Sequence, residues 1–173
     1  MAEIQVNRLT NANIYCDGIS FLGKAEEISL PVIKGKMSEH KALGMIGAVE
    51  FISGFEKMEG KIKWNSFYEA VLKQAANMYK SVKLQIRANL EKYDASGKIA
   101  DVAVKAFMTA QFKDFPGGNF KQNDNVEAES NLAITQYRLE IGNSEILEID
   151  FMASIYVVDG VDLLANYRSN LGI

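Results

Sequence analysis

The chain is short of the residues that carry most covalent and metal chemistry: it has one cysteine, Cys16, and one histidine, His40. A single cysteine excludes an internal disulfide and any multi-cysteine metal site, which fits folding in a reducing, intracellular place. A single histidine excludes a zinc site built on two imidazoles and leaves only His40 for a histidine-based triad. Charge of one sign is also missing, since 19 Lys and Arg face 22 Asp and Glu. That balance argues against a dedicated nucleic-acid binder, whose footprint is a basic face. No apolar run reaches the roughly 18 residues of a membrane span, and "MAEIQVNRLT" lacks the basic start and apolar stretch of a secretory signal. The expectation is a protein neither exported by such a signal nor inserted in a bilayer. Its 173 residues, 48% apolar and 24% charged, suit one domain over residues 1–173 whose core buries roughly 70% of the unfolded chain's surface.

What is present is two-residue alternation with a helical interruption in the middle. Ile14 and Cys16 alternate outward from Asp17-Gly18, and Ile19 and Phe21 continue beyond it, which predicts a hairpin with a type I′ turn whose second arm runs on to Pro31. "VIKGKMSEHKALGMIG" has three glycines and no sustained period, and reads as a long loop at about 32–47 that leaves the sheet. Strand character returns from Val49 to Trp64, with Gly54 and Gly60 placed for a bulge or bend. In "NSFYEAVLKQAANMY", Ser66 and Glu69 have capping-box spacing, and Phe67, Val71, Ala75 and Met78 recur at helical intervals.

After Lys80, Val82, Leu84, Ile86, Ala88 and Leu90 share one strand face while Lys83, Gln85, Arg87, Asn89 and Glu91 share the other. "YDASGK" turns the chain into a returning strand through Ile99, Val102, Val104, Ala106 and Met108. A Pro-Gly-Gly break at 116–118 and "NFKQNDNVEAE" form the next connection, after which Tyr137, Leu139 and Ile141 alternate with Arg138 and Glu140. "GNSEILEIDFMASIYVV" reads as one last arm, and Asp159-Gly160 leads into a short C-terminal helix that ends on an apolar tag, Leu171 to Ile173. Many strands, one central helix, a short terminal helix and no βαβ rhythm give a mainly β fold, an antiparallel sandwich or barrel.

Catalytic patterns are sparse. His40 lies in the glycine-rich excursion beside Glu39 and Lys41 and reads as a solvated side chain. Gly54 to Lys61 has five residues between its glycines and Ile62 where a phosphate loop needs a hydroxyl, so those glycines relieve a strand bend. "NDNVEAE" lacks the central glycine and the glutamate spacing of a calcium loop and reads as a solvated charge run. Cys16 falls on the apolar parity beside a turn, as an inert buried thiol does. No catalytic, cofactor-binding or metal-binding residue is assigned, and the expectation is a protein that is not an enzyme.

Three separated blocks carry a family resemblance. "NANIYCDGISFLGKAEEISLP" is similar to the opening hairpin of the major tail tube proteins of contractile-tailed bacteriophages and of the related R-type bacteriocin tubes. "GMIGAVEFISGFEKMEGKI" resembles the segment that follows the long loop in that family, with Gly54, Glu56, Lys57 and Met58 in order. "EILEIDFMASIYVVDGVDLLANYRSNLGI" resembles its closing block through Glu148, Ile149 and Asp150, then Gly160, Val161 and Asp162, then Arg168, Asn170, Leu171 and Gly172.

The resemblance implies a structural subunit of tail-tube fold that forms hexameric rings and stacks into a hollow tube inside a contractile sheath. The implied partners are other copies of itself, a sheath protein, and baseplate and tail terminator proteins at the two ends. DNA would pass through the lumen without specific binding, in a virion tail assembled in the host cytoplasm. The C-terminal tag is then expected to dock onto neighbouring subunits. If six subunits each gave four strands to an inner barrel, strands about 4.8 Å apart and tilted about 40° would give a backbone diameter of roughly 48 Å. With about 5 Å for each inward side chain, the opening would be roughly 38 Å on the same geometry.

A lumen that grips phosphates would oppose passage, so the inner wall is expected to be neutral to acidic, with inward basic side chains offset by acids. The face of Lys83, Gln85, Arg87, Asn89 and Glu91 either lines that wall or meets solvent or a neighbouring subunit. Two alternatives stand beside the phage reading: the tube of an R-type bacteriocin or secretion-type injection machine, and a monomeric small-ligand-binding β-barrel.

Overall fold

Residues alternating between apolar and polar build four long antiparallel strands: β1 (Val6–Cys16), β7 (Ser81–Asp94), β8 (Gly97–Phe112) and β9 (Ala128–Ile141). The computed structural model describes residues 4–173. Within these strands Val82, Leu84 and Ile86 are buried together with Ile14, Cys16, Ala106, Met108, Ala110 and Leu132, so one face makes the core and the other is left open. The parity of two strands is reset by bulges. Ile99 falls between the pairs Lys92–Ala100 and Tyr93–Lys98, and Thr135 between Ile134 and Gln136 opposite Ala110 and Thr109. Without the second, Ile134 and Tyr137 could not both be buried.

The other strands are shorter. β2 (Ile19–Ser20) closes the first hairpin on Asp17 and Gly18, both at positive φ, which is the type I′ geometry that Asp-Gly favours. The second arm does not run on to Pro31. The chain turns at residues 21–24, and β3 (Ala25–Ser29) pairs with β6 (Met58–Trp64) instead. β6 in turn pairs with the first half of β9, from Met58 opposite Ile134 to Trp64 opposite Ala128. β10 (Ser144–Asp150) takes the second half of β9 and is followed by β11 (Ile155–Val158) and β12 (Val161–Asp162). The expected single last arm is therefore two strands. The Asp150 carboxylate accepts from the amides of Met152 and Ala153 and turns the chain between β10 and β11.

The path β3-β6-β9-β8-β7-β1 bends round one core, in which Phe21 meets Trp64 edge to face at 5.7 Å. Trp64 Nε1 donates to the buried Ser130 hydroxyl at 2.9 Å, so the one buried polar pair at this level is satisfied. The barrel stays open between β1 and β3, where a groove of about 340 Å3 is floored by Ile14 and Phe21.

Helix α1 (Glu69–Ala76) covers the core with Val71 and Ala75. Its capping box does not form: Tyr68 holds the N-cap position and no side chain caps the helix. The segment before it is tied down by Asn65, whose amide donates to the Lys24 carbonyl and whose side chain donates to the Gly23 carbonyl. Those bonds delay the first helical residue past Ser66.

Residues 32–47 leave the ten-stranded sheet, but not as an irregular loop. Gly35–His40 forms β4, paired with β5 (Val49–Phe55) as a separate two-stranded arm. The expected single kinked strand from Val49 to Trp64 is accordingly two strands in different sheets, parted at Glu56 and Lys57. Gly54, at φ +140, makes the bulge at the base of the arm, a conformation that L side chains rarely adopt. The arm showed no period in sequence because every residue of β4 is exposed on both faces. Pairing alone satisfies its backbone. α2 (Ala165–Leu171) closes the described chain and buries no residue.

Candidate functional site

The open face of the long sheet is polar and assembled from five strands. Strand β7 contributes Lys83, Gln85, Arg87, Asn89 and Glu91, the set expected from its parity. Register adds Arg8, Asn13 and Tyr15 from β1, Asp101, Lys105, Phe107 and Thr109 from β8, Gln136, Arg138 and Glu140 from β9, and Glu148 and Asp150 from β10. Only the β7 set and the alternation of Arg138 with Glu140 were legible in sequence. The rest depends on which strands lie side by side, and the Thr135 bulge is what turns Arg138 and Glu140 onto this face.

Basic and acidic groups on it nearly balance, and most of the bases are held down. Arg138 lies over the Phe107 ring, 4.5 Å from its centroid, and pairs with Glu140 at 3.2 Å. Lys105 pairs with the same Glu140 at 3.6 Å. Lys98 bridges Glu91 at 2.7 Å and Asp101 at 2.9 Å. These contacts hold the Glu91 carboxyl below the usual carboxylate range, first through the Lys98 hydrogen bond and then through the Tyr93 hydroxyl. Asp101 is held down likewise, by Asn89 first and Lys98 second. Arg87 rests over Tyr15 at 5.9 Å. Among the described residues, Lys83 and Arg8 make no ion pair. Thr109, Gln136 and Glu148 form a hydrogen-bonded chain across β8, β9 and β10, with distances of 3.0 and 3.2 Å.

Two other surfaces are apolar. The arm exposes Met37, Leu43, Ile46, Phe51 and Ile52, and α2 with its flanks exposes Leu163, Tyr167, Leu171 and Ile173. α2 is anchored by Arg168, whose Nη1 donates to the Ser154 carbonyl at 2.8 Å and whose Nη2 pairs with Asp162. That pair, with the Leu164 amide, holds the Asp162 carboxyl below its usual range. Gly172 ends the helix in the left-handed conformation, and the Ile173 amide returns to the Arg168 carbonyl.

The residues singled out for chemistry are scattered. Cys16 is wholly buried, and desolvation, with Asp17 beside it, pushes its thiol up to about 12. His40 is exposed at the end of β4, 6.2 Å from the Phe51 ring and in a different sheet from Cys16. Gly54 and Lys61 lie on separate strands in separate sheets, so no phosphate loop exists there. The interior is filled by Trp64, Phe21, Phe112, Met58 and Ile62, and among the described residues the outer edge of β1 is unpaired before Ile14, whose carbonyl accepts from the Phe21 amide. Both features run against a closed, ligand-holding barrel.

Comparison with known proteins follows the same lines. A family model described as "Phage tail tube protein FII" matches residues 6–172. The tail tube protein of Escherichia phage P2 is 26% identical over 170 residues, covering 96% of this chain and 97% of that protein. The major tail tube protein of Serratia phage KSP20 is 25% identical over 150 residues, covering 87% of this chain and 86% of its own. Among solved structures, a chain of the PVC extracellular contractile injection system, in its extended sheath-tube complex, shares the fold with a TM-score of 0.54. That match covers 75% of this chain and 87% of the other at 11% identity.

Proposed function

The chain belongs to the phage tail tube protein FII family, and from that premise we propose that it forms hexameric rings that stack into the hollow tube of a contractile phage tail. In this reading residues 1–173 act as one tail tube domain, sheath surrounds the tube, and baseplate and terminator proteins cap its ends. The genome passes through the lumen, and the tail is built in the host cytoplasm. The subunit's role is structural rather than catalytic.

The observation that carries the reading is the polar sheet face. A sheet whose one side is core and whose other side bears balanced, internally paired charge suits the wall of a channel for a polyanion. Arg138, Lys105, Lys98 and Arg87 are each engaged by a neighbouring acid or ring, so few cations are free to displace counterions from passing phosphates. The unpaired outer edge of β1 offers a place for a neighbour's strand, which would remove the edge by closing the barrel across subunits. The exposed β4–β5 arm is suited to contact between stacked rings. The phage reading is favoured over a bacteriocin or injection-machine tube because both named relatives, aligned over most of their length, are phage proteins.

Negative-stain electron microscopy of the purified protein tests the reading. Rings or tubes with an axial hole are expected. A monodisperse monomer at high concentration and in crowding conditions would overturn it.

A further inference from the structure

An apolar groove of about 560 Å3 lies between the base of the arm and α2. Its walls are Ile52 and Phe55 on the arm, Phe151, Ile155 and Tyr156 on β11 and the turn before it, and Tyr167 on α2. The walls are fixed in place: Phe55 packs edge-on against Tyr156 at 4.9 Å and stacks with Phe151 at 6.2 Å. Arg168 pins α2 to the same turn through the Ser154 carbonyl. Asp150 stands at the rim, its carboxylate taken up by the amides of Met152 and Ala153, with no Lys or Arg paired to it among the described residues. The groove is thus preformed, apolar inside and acidic at its edge.

The arm carries the complement. At its tip Leu43 and Ile46 are fully exposed, 106% and 110% of the reference area, and Lys41 stands beside them. A paired two-stranded arm of this length separates tip from base by about 20 Å, so the tip cannot fold back into the groove at its own base. We infer that Leu43 and Ile46 of one copy insert into the groove between the arm base and α2 of a second copy, with Lys41 meeting Asp150 at the rim. Knob and hole sit at opposite ends of one element, so the contact is heterologous: each copy that fills a neighbour's groove leaves its own groove open for the next copy. The contact therefore propagates instead of closing on a dimer. The inference rests on the tube reading and names the surface that an arm from one ring meets on the next; α2 thereby gains a role as one wall of the receptor.

Disulfide trapping tests it, because the native Cys16 is buried and does not compete. The double variant I46C/Y167C, assembled and then treated with copper phenanthroline, is expected to give a ladder on a non-reducing gel that extends to species too large to enter it. Either single variant, and I46C combined with K73C on α1, should give none. Tubes of the double variant without a ladder, or a ladder that stops at dimer or hexamer, would overturn the inference while leaving the tube reading standing. If the double variant fails to assemble, L43D/I46D decides instead. It should fold with an unchanged melting curve and form no tubes, and tubes of normal length would overturn the inference. Absence of tubes from the wild-type protein would count against the tube reading itself.

Discussion

Asn65 makes three hydrogen bonds at the entry to α1: its amide to the Lys24 carbonyl, its side-chain nitrogen to the Gly23 carbonyl, and its side-chain oxygen from the Tyr68 hydroxyl at 2.7 Å. Ser66 makes no cap. Replacing Ser66 by Ala should therefore change stability by less than about 0.5 kcal/mol, as at an ordinary surface site. Asn65→Ala should cost about 1–2 kcal/mol through its lost bonds, with urea denaturation as the measurement. Equal losses at both positions would restore the cap to Ser66. Cys16 gives a second test at this scale. Its folded-state thiol is held up near 12 against an ordinary value of 9.0, so the unfolded chain releases its proton first as pH rises. The stability this group contributes is complete below pH 9 and is lost between pH 9 and 12. In native protein at pH 8 the thiol should resist Ellman's reagent and react only when urea unfolds the chain. Rapid native labelling would show an accessible thiolate.

At the scale of elements, the arm and α2 are the parts that the core does not hold. All six residues of β4 are exposed, so limited proteolysis of the free subunit should cut within residues 41–48, and the cut should disappear on assembly. Equal susceptibility in both states would remove the arm from the interface. α2 buries nothing and relies on Arg168 with Asp162 and Ser154. The Asp162 carboxyl is held below its usual range by Arg168. Its contribution is therefore present above the ordinary carboxylate value and fades as pH falls through the lowered one. Asp162→Asn should raise amide hydrogen exchange across residues 165–171 at pH 7 while leaving β7 and β8 protected, and acidification below about pH 4 should do the same to the wild type. Unchanged exchange in the variant would mean that apolar contacts alone seat the helix.

For the whole molecule, the consequence of the polar face lies in repetition: in the proposed tube each side chain on it would recur in every copy around the channel. Glu140 restrains both Arg138 and Lys105. Glu140→Gln should release both and leave each subunit one charge more positive. Assembled wild-type tubes should retain little short duplex DNA at 50 mM salt, whereas tubes of the variant should retain it with a steep loss as salt rises. Strong, salt-sensitive retention by the wild type would sink the low-friction wall.

Local signals in the sequence were enough to determine the β class, the Asp17-Gly18 turn, the exposed side of β7 and the burial of Cys16, because each depends only on neighbours one or two residues away. The closing block at Asp162 and Arg168 was visible as a pattern, yet its ion pair across six residues needed the turn at Leu163 and Leu164, between β12 and α2, to bring the partners together. Tertiary structure alone decided the rest. It sent the first hairpin's second arm to β6, moved the helix start from Ser66 past Tyr68, and split the last arm at Asp150. It also made a paired arm of a segment with no period. Asp150 turned the last arm through the nearby amides of Met152 and Ala153. The first two outcomes were set by hydrogen bonds or edges supplied from residues far along the chain, such as Asn65 reaching Gly23 or β6 offering its edge to β3. Such partners leave no periodic trace, since a strand exposed on both faces alternates nothing and a bulge such as Thr135 reverses a parity that composition cannot foresee.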